Sequence, residues 1–313
     1  MRWKGERPLI LIVGPTAVGK TALSIRLAER FGGEIVSADS RQIYRGMDIG
    51  TAKATPEERA RVPHHLLDIV SPDRWYTVAE FQEAALRAIA DIHAREHLPF
   101  LVGGSGLYVR AVAEGLDIPR VPPNPQLRAE LEAEAAANPE ALRTRLAALD
   151  PAAAARIDPR NVRRVIRALE VCLATGKPIS QQQTRRPPAF RSLWIGLTLP
   201  RPELYRRIDA RVERMLELGL VDEVRRLAAQ GYAWDAPAMT GVGYRQIGAY
   251  LRGECTLDEA VREIKRATRR FVRQQANWFR ADDPRIHWLR SDEDAEARAA
   301  TLIQTFLEGK EGL

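Results

Sequence analysis

Residues 14–21, near the start of the chain, restrict the possible folds more than any other stretch. They read GPTAVGKT and fit the pattern G-x-x-x-x-G-K-[ST]. The apolar run Leu9–Val13 before them predicts a buried strand, and the apolar residues after them recur at helical spacing. A strand, a glycine-rich loop and a helix in this order form a P-loop, which binds phosphate groups. This context disfavours the alternative, a chance match in an ordinary tight turn.

Each part of the loop has a physical role in that binding. Glycines let backbone amides turn toward phosphate oxygens, Lys20 adds a full positive charge, and the Thr21 hydroxyl can ligate Mg²⁺. We therefore predict that the whole loop binds phosphates: Gly14, Pro15, Thr16, Ala17, Val18, Gly19, Lys20 and Thr21. The motif is typical of nucleotide-binding and ATP-binding proteins. By itself it identifies neither ATP as the ligand nor the bond that breaks.

The alternation of apolar runs with amphipathic segments predicts the fold class. Further strands are predicted at Glu34–Ala38, Pro99–Val102, Leu193–Leu197 and Ile286–Leu289. Helices are predicted at Val78–Glu96, Leu107–Glu114, Leu204–Leu218, Leu220–Ala229, Thr256–Arg280 and Ser291–Leu307, the last of them N-capped by Ser291 or Asp292. This order predicts an α/β protein in which helices flank a P-loop-type parallel sheet.

The pattern changes between residues 119 and 191, which are rich in Ala, Leu and Arg and contain no convincing strand. After a proline-rich boundary, helices are predicted to begin at Pro125, Pro139 and Pro151, with a longer helix over Arg160–Thr175 and a polar link over Pro178–Pro188. We therefore predict a catalytic core at 1–118 and 192–313 with a helical C-terminal part. An all-helical insertion domain at 119–191 interrupts this core.

Positive charge is concentrated on two predicted helices. The chain has 48 Lys and Arg against 41 Asp and Glu, a net charge of +7. Helical spacing places Arg160, Arg163, Arg164 and Arg167 on one face, and Arg266, Arg269, Arg270 and Arg273 on another. Solvated helix faces, the alternative explanation, usually mix charges of both signs. Two faces of one sign favour contact with a nucleic-acid backbone.

The remaining composition excludes other classes of protein. No run of 18 apolar residues is present, so we expect no membrane partner. Cys172 and Cys255 lie far apart, which argues against a zinc module and for a reducing compartment. The short polar stretch before the first strand does not resemble a signal peptide. We expect a cytoplasmic monomer.

Two polar residues outside the loop are candidates for chemistry. The strand at Pro99–Val102 ends without the Asp that kinases and ATPases usually place there to hold Mg²⁺. Asp39 follows the second strand, at the sheet edge where ligands bind. It could ligate Mg²⁺ through water, act as a general base, or simply cap a turn. Ser105, on a glycine-rich turn at the same edge, could donate or accept a hydrogen bond, or could be an ordinary turn residue.

Seven motifs in order resemble the bacterial tRNA dimethylallyltransferases over nearly the whole chain. They are GPTAVGKT (14–21), VSADSRQIYRGMDIGTAK (36–53), VPHHLLD (62–68), LVGGSGLY (101–108), RRVIRALEV (163–171), GVGYRQ (241–246) and RQQANWFR (273–280). The resemblance implies transfer of a dimethylallyl group from dimethylallyl diphosphate to N6 of an adenosine. That adenosine lies 3′-adjacent to the anticodon, in tRNAs that read codons beginning with U. It also implies that the P-loop holds the diphosphate rather than ATP, and that Mg²⁺ is the cofactor.

The resemblance also implies roles for individual residues. Asp39 matches the general base, Thr21 the metal contact, and Arg211 an arginine near the reacting diphosphate, so that Asp39, Lys20, Ser105 and Arg211 form the expected catalytic set. The tRNA contacts that it implies are Asp39, Ser40, Arg41, Gln42, Ser105, Arg128, Arg163, Arg164, Val165, Ile166 and Arg167. Ser105 stands where the family usually has Thr. Gln274 and Asn277 replace the commoner Arg and Thr, which leaves their roles undefined.

Three other functions are compatible with parts of the sequence. A P-loop kinase of a small metabolite would explain the loop, but neither the arginine faces nor the missing strand-end Asp. An adenylate isopentenyltransferase acting on free nucleotide would not need a basic helical insertion. An RNA-binding protein with a vestigial P-loop would not need an intact loop with Asp39.

Overall fold

Six parallel strands form one sheet in the computed structural model, which describes residues 6–138, 140–186 and 190–309. The strands are β1 (Arg7–Val13), β2 (Gly33–Ser37), β3 (His64–His65), β4 (Leu98–Gly103), β5 (Phe190–Thr198) and β6 (Ile286–Arg290). Their order across the sheet is β3-β2-β4-β1-β5-β6. The predicted α/β class with a P-loop-type parallel sheet is therefore confirmed.

The helices cover both faces of the sheet and build a separate bundle. They are α1 (Lys20–Phe31), α2 (Pro56–Arg61), α3 (Val78–Ala94), α4 (Gly106–Ala113), α5 (Pro125–Ala137), α6 (Ala141–Leu149), α7 (Pro151–Arg156), α8 (Val162–Thr175), α9 (Ile179–Gln182), α10 (Arg201–Glu217), α11 (Leu220–Ala229), α12 (Tyr244–Leu251), α13 (Leu257–Gln275) and α14 (Ala295–Leu307). Among the described residues, no helix is long and apolar enough to cross a membrane.

Strand β1 lies between β4 and β5, and its apolar residues are fully buried because helices cover the sheet on both sides. Val13, the last residue of β1, is in register with Gly103 of β4, and Ser37 of β2 is in register with Val102. The segments that follow these three strands therefore leave the same edge of the sheet side by side. This register positions the candidate site.

The described chain divides into two compact units. The first comprises the described residues of Met1–Tyr76, Gln82–Ala113 and Pro188–Leu313, and contains the sheet. The second comprises those of Thr77–Phe81 and Glu114–Pro187. Its own apolar core is built from α5 to α9 around residues such as Leu131, Leu146, Val165 and Leu169. Apart from a single Leu116–Arg185 bridge, the described part of this unit contains no strand.

Several predicted elements differ from the structure. Helix α8 begins at Val162 because the Asn161 side chain accepts a hydrogen bond from the Arg164 N–H and caps the helix there. Arg160 therefore lies before the helix, and the prediction that it shares a helix face is wrong. Helix α14 begins at Ala295 after Asp294, later than predicted, so Ser291 and Asp292 do not cap it.

Four short elements, β3, α2, α9 and α12, were not predicted. The first three carry no full period of apolar residues, whereas α12 was missed although Tyr244, Ile247 and Leu251 recur at helical spacing. The long α13 ends at Gln275 rather than Arg280, since a loop precedes β6. The predicted helix start at Pro139 and the end of the predicted link, Pro187 and Pro188, lie outside the described residues.

Candidate active site

The loop between β1 and α1 has the backbone geometry of an anion site. Gly14 has a φ of 138°, Ala17 a φ of 66° and Gly19 a φ of 102°, so three residues of this short loop have positive φ. Gly19 is the N-cap of α1, and the first turn of the helix contains no acidic residue. The N-terminus of α1 therefore offers backbone amides and partial positive charge without an acidic side chain to neutralise them.

Lys20 is held against this loop. Its Nζ donates to the carbonyl oxygens of Gly14 at 3.1 Å and Pro15 at 2.8 Å. Burial lowers the pKa of Lys20 from 10.5 to about 8, Asp39 opposes this effect, and the charge of Arg211 adds to it. A bound phosphate would supply the negative charge that this ammonium group lacks.

A cavity of ≈ 880 Å³ opens beside the loop within the first unit. Its lining contains predicted residues from distant parts of the chain, namely Thr16, Ala17, Gly19, Lys20, Thr21, Asp39 and Arg211. Arg207 and Arg214 of α10 also line it. Burial lowers the pKa of Arg211, while the charge of Asp39 raises it. The structure thus brings the loop, Asp39 and Arg211 together in one positively charged cavity.

Asp39 has two different oxygens. Its Oδ1 accepts hydrogen bonds from the backbone N–H of Arg41 at 2.8 Å and of Gln42 at 3.4 Å, so the residue does cap a turn. Oδ2 has no hydrogen-bond partner among the described residues. One oxygen therefore fixes the carboxylate, and the other remains able to accept a proton or a ligand.

Ser105 supports the segment that contains Asp39. Its Oγ accepts from the Ser40 N–H at 3.0 Å and donates to the Ser40 Oγ at 3.3 Å. Ser105 also lines a second, smaller cavity of ≈ 270 Å³ together with Tyr108, Phe271 and Trp278. Aromatic rings and small polar groups suit a planar base.

Two of the residues expected to contact tRNA are bonded inside the protein. Gln42 accepts from the Ser37 Oγ and donates to the carbonyl oxygens of Thr51 and Ala52. Arg41 donates to the Pro237 carbonyl at 2.8 Å. These bonds shape the loop beside Asp39, and the contact of both residues with tRNA stays a prediction.

The other residues expected to contact tRNA belong to the second unit and divide into three groups. Arg163 and Arg164 are exposed, and their side chains form no ion pair among the described residues. Arg128 and Arg167 both pair with the buried Glu170. Val165 and Ile166 are 3% and 4% exposed and pack in the unit's core, and their contact with tRNA stays a prediction.

Three of the four arginines predicted to form a face on α13 have partners. Arg266 pairs with Glu263, Arg269 with Asp209, and Arg273 donates to the Tyr205 hydroxyl. The spacing along α13 did not show two of these partners because they lie on α10. The expectation of a face of one sign is therefore wrong for Arg266 and Arg269.

Three buried polar residues that organise the site escaped the sequence analysis. Lys53 lines the larger cavity and joins Asp48 to Asp68. Glu223 binds the 48–50 loop, and Gln275 binds the P-loop. Lys53 lies in one of the matching motifs, and Gln275 in another, but motif membership alone gave no role to either residue.

The larger cavity contains donors that fit Mg²⁺. The Thr21 hydroxyl and the Asp39 carboxylate are both hard oxygen donors that line it. Mg²⁺ characteristically takes one or two such protein ligands and completes its shell with phosphate oxygens and water. Among the described residues, no group of three or more His, Cys, Asp or Glu could hold a metal ion.

The fold and this site define an α/β protein with a P-loop-type sheet, whose cavity suits a phosphorylated ligand. The sequence model of the family described as IPP transferase matches residues 42–282. A tRNA dimethylallyltransferase of Roseiflexus sp. (strain RS-1) is 58% identical over 303 residues, which cover 96% of this chain and 99% of that protein. One of Thermomicrobium roseum is 58% identical over 276 residues, covering 88% and 84%.

Two solved structures resemble the chain along almost its whole length. A full-length tRNA isopentenylpyrophosphate transferase from Bacillus halodurans has a TM-score of 0.73 and 44% identity, covering 97% of this chain and 98% of that one. A eukaryotic dimethylallyltransferase acting on tRNA has a TM-score of 0.83 and 27% identity, covering 97% and 80%. The chain belongs to the IPP transferase family. The family prediction is confirmed, and the similarities favour prenyl transfer over the kinase alternative.

Proposed function

We propose that this protein transfers a dimethylallyl group from dimethylallyl diphosphate to N6 of the adenosine 3′-adjacent to the anticodon, in tRNAs that read codons beginning with U. The products are N6-dimethylallyladenosine and diphosphate. One observation carries the proposal: Lys20, Arg211 and Asp39 line a single cavity, and only one of the two Asp39 carboxylate oxygens accepts a hydrogen bond from the described residues. Cations suit the leaving diphosphate, and a carboxylate suits a nucleophile that must lose a proton.

The cationic side of the cavity suits the departure of diphosphate. Negative charge grows on the bridging oxygen as its bond to the allylic carbon breaks. The loop amides, Lys20 and Arg211 would stabilise that charge. Mg²⁺, held by the Thr21 hydroxyl and by the diphosphate itself, would supply further neutralisation when bound.

The acidic side suits the acceptor. The N6 amine forms the new C–N bond with its lone pair and must lose one proton, which the Asp39 carboxylate would accept. Ser105 holds Ser40, next to Asp39, through two hydrogen bonds. The smaller cavity offers Tyr108 and Trp278 as surfaces for an adenine that has left its stack.

The tRNA partner is supported by the names of the relatives and by the exposed cations of α8. Arg163 and Arg164 would bind phosphates of the anticodon stem, and such contacts position an RNA without reading its bases.

The test is a transfer assay with Mg²⁺, labelled dimethylallyl diphosphate and an unmodified anticodon stem–loop. We expect label in the RNA without added ATP. Label in adenosine monophosphate instead would indicate the free-nucleotide enzyme. If neither acceptor is labelled and a parallel reaction shows phosphoryl transfer from ATP, the proposal is contradicted and the kinase alternative is favoured.

A further inference from the structure

Gln275, the last residue of α13, is a buried polar residue that the reaction chemistry leaves unexplained. It is 4% exposed. Its Oε1 accepts a hydrogen bond from the Thr16 N–H at 3.0 Å, and its Nε2 donates to the Gly104 carbonyl at 2.9 Å. One carboxamide thus joins the phosphate loop after β1 to the glycine-rich turn after β4.

The two loops that Gln275 joins serve different ligands in the proposed reaction. Thr16 lines the larger cavity with Lys20. Gly104 lines the smaller one and precedes Ser105, which binds Ser40 beside Asp39. The bond to Gln275 also commits the Thr16 N–H, so that this amide of the loop does not face a phosphate.

The backbone at Gly104 leaves room for the Gln275 carboxamide. A Cβ on Gly104 would lie 2.2 Å from Gln275 Nε2, which is closer than non-bonded atoms approach. Glycine at this position therefore lets the amide reach the backbone. A carboxamide is also the group that supplies an acceptor and a donor from one planar end. An ionised Glu would keep the acceptor for Thr16 and lose the donor for Gly104.

We propose that Gln275 is a positioning residue that fixes the diphosphate-binding loop relative to the acceptor-binding turn. It acts through Thr16 and Gly104 and touches neither reacting atom. This inference rests on the proposed function, because it matters only where two ligands must meet. The rate of bond formation between two bound ligands depends steeply on the distance between their reacting atoms. A displacement of about 1 Å can lower that rate about 100-fold.

The experiment compares wild type with Gln275→Met, which keeps the shape and removes both bonds, and Gln275→Glu, which keeps only the bond from Thr16. Single-turnover transfer to the stem–loop is measured at saturating concentrations of both ligands. The affinities for the RNA alone, and for an unreactive thio-analogue of the donor alone, are measured separately. Gln246→Met is the matched control. Gln246 is another buried helical glutamine of the same unit, and among the described residues its side chain bonds to the Gly243 N–H alone.

We expect each ligand to bind Gln275→Met within about threefold of wild type while the single-turnover rate falls about 100-fold. Gln275→Glu should lose a similar factor because its carboxylate repels the Gly104 carbonyl. Gln246→Met should keep the rate within about twofold. If the Gln275 variants do not fold, Gly104→Ala displaces the same amide without removing it, and should lower the rate while preserving both affinities.

Three results would overturn the inference. Wild-type rates at saturation in folded Gln275→Met would show that the bridge is dispensable. A rate loss no larger than that of Gln246→Met would indicate a general packing effect. A loss confined to donor affinity would make Gln275 part of the diphosphate site. If wild type itself transfers nothing, the proposed function fails instead, so the two failures are distinguishable.

Discussion

Two regions of the first unit bury charge, and they treat it in opposite ways. At the phosphate loop, Lys20 and Arg211 are buried with Asp39 as their opposing charge, and the pKa of each cation is lowered by that burial. On α11, the side chain of Glu223 is 1% exposed, and both of its carboxylate oxygens accept hydrogen bonds. We interpret the first region as a binding site for an anion and the second as a completed structural contact.

Glu223 shows what a completed contact requires. Its two oxygens accept from the backbone N–H of Asp48, Ile49 and Gly50 at 2.8–3.0 Å, and from the Tyr244 hydroxyl at 2.5 Å. Burial and this carboxylate together raise the pKa of Tyr244 well above its usual value. A backbone loop there binds a carboxylate of its own protein, much as the phosphate loop would bind a ligand.

The two regions suggest a criterion for distinguishing structural from functional buried charges, which is whether the partners of each charge are present in the protein. A charge whose partners are all present contributes to stability, and its removal should affect folding. A charge buried without enough partners has been kept at a cost in stability, and its removal should affect ligand binding or chemistry. Variants of these buried charges test this distinction.

Asp39→Asn should lower the single-turnover transfer rate by about 1000-fold, since a neutral amide cannot accept the N6 proton. Donor affinity should be unchanged or tighter, because a negative charge has left the neighbourhood of the diphosphate. Rapid-quench assays with separate donor titrations measure both quantities. A rate near that of wild type would remove Asp39 from the role of general base.

Lys20→Met should weaken donor affinity by about 100-fold, since it removes a charged hydrogen-bond donor from the site. The pH dependence is the sharper readout. The pKa of Lys20 is about 8 in the free protein, so the ammonium is charged below that pH and is lost above it. A bound diphosphate favours the charged form, so affinity should fall by up to about tenfold per pH unit above pH 8.

Calorimetric titrations with inorganic diphosphate between pH 6.5 and 9.5 measure this dependence. The ligand's own titration is common to wild type and Lys20→Met, so their difference isolates the contribution of the lysine. Parallel profiles for the two proteins would contradict the assigned role.

Glu223→Gln should destabilise the fold by about 2–3 kcal/mol, because a charged acceptor of four donors becomes a weaker one with an unwanted donor. Asp222→Asn is the matched control, since Asp222 is the exposed neighbour that pairs with Arg225, and its loss should cost under about 0.5 kcal/mol. Urea unfolding compares the two variants. Equal free energies of unfolding for the two variants would contradict the interpretation of Glu223 as a stabilising buried contact.

Helix α8 of the second unit also contains both exposed arginines and an arginine that pairs with a buried carboxylate. The effects expected from their substitution are the smallest. Arg163→Ala and Arg164→Ala should each lower affinity for the stem–loop about threefold to tenfold and reduce the salt slope by about one. Arg167→Ala should affect RNA binding less and stability more, because Arg167 pairs with buried Glu170. RNA titrations at several salt concentrations measure these slopes. Identical slopes for all three variants would contradict the distinction between the exposed arginines and Arg167.

Local patterns made the phosphate side of the site predictable. The P-loop is contiguous, and Asp39 follows a strand whose place in a parallel sheet has few alternatives. The partners of the buried groups were not predictable, because they come from distant segments. Thr16 and Gln275 are 259 residues apart, and Gly50 and Glu223 are 173 apart. Arg167 was assigned to an RNA face from its spacing and from the family resemblance, and neither shows that Glu170, three residues away, is buried and pairs with it.

In the proposed reaction, one bond to the allylic carbon breaks at this site for each bond formed to adenosine N6. The most direct test measures released diphosphate and modified RNA in the same reaction, and maps the modified nucleoside by mass spectrometry of RNA fragments. The account predicts one dimethylallyl group per diphosphate, on the adenosine 3′-adjacent to the anticodon. Diphosphate release without modified RNA, or a dimethylallyl group on another nucleotide, would contradict it.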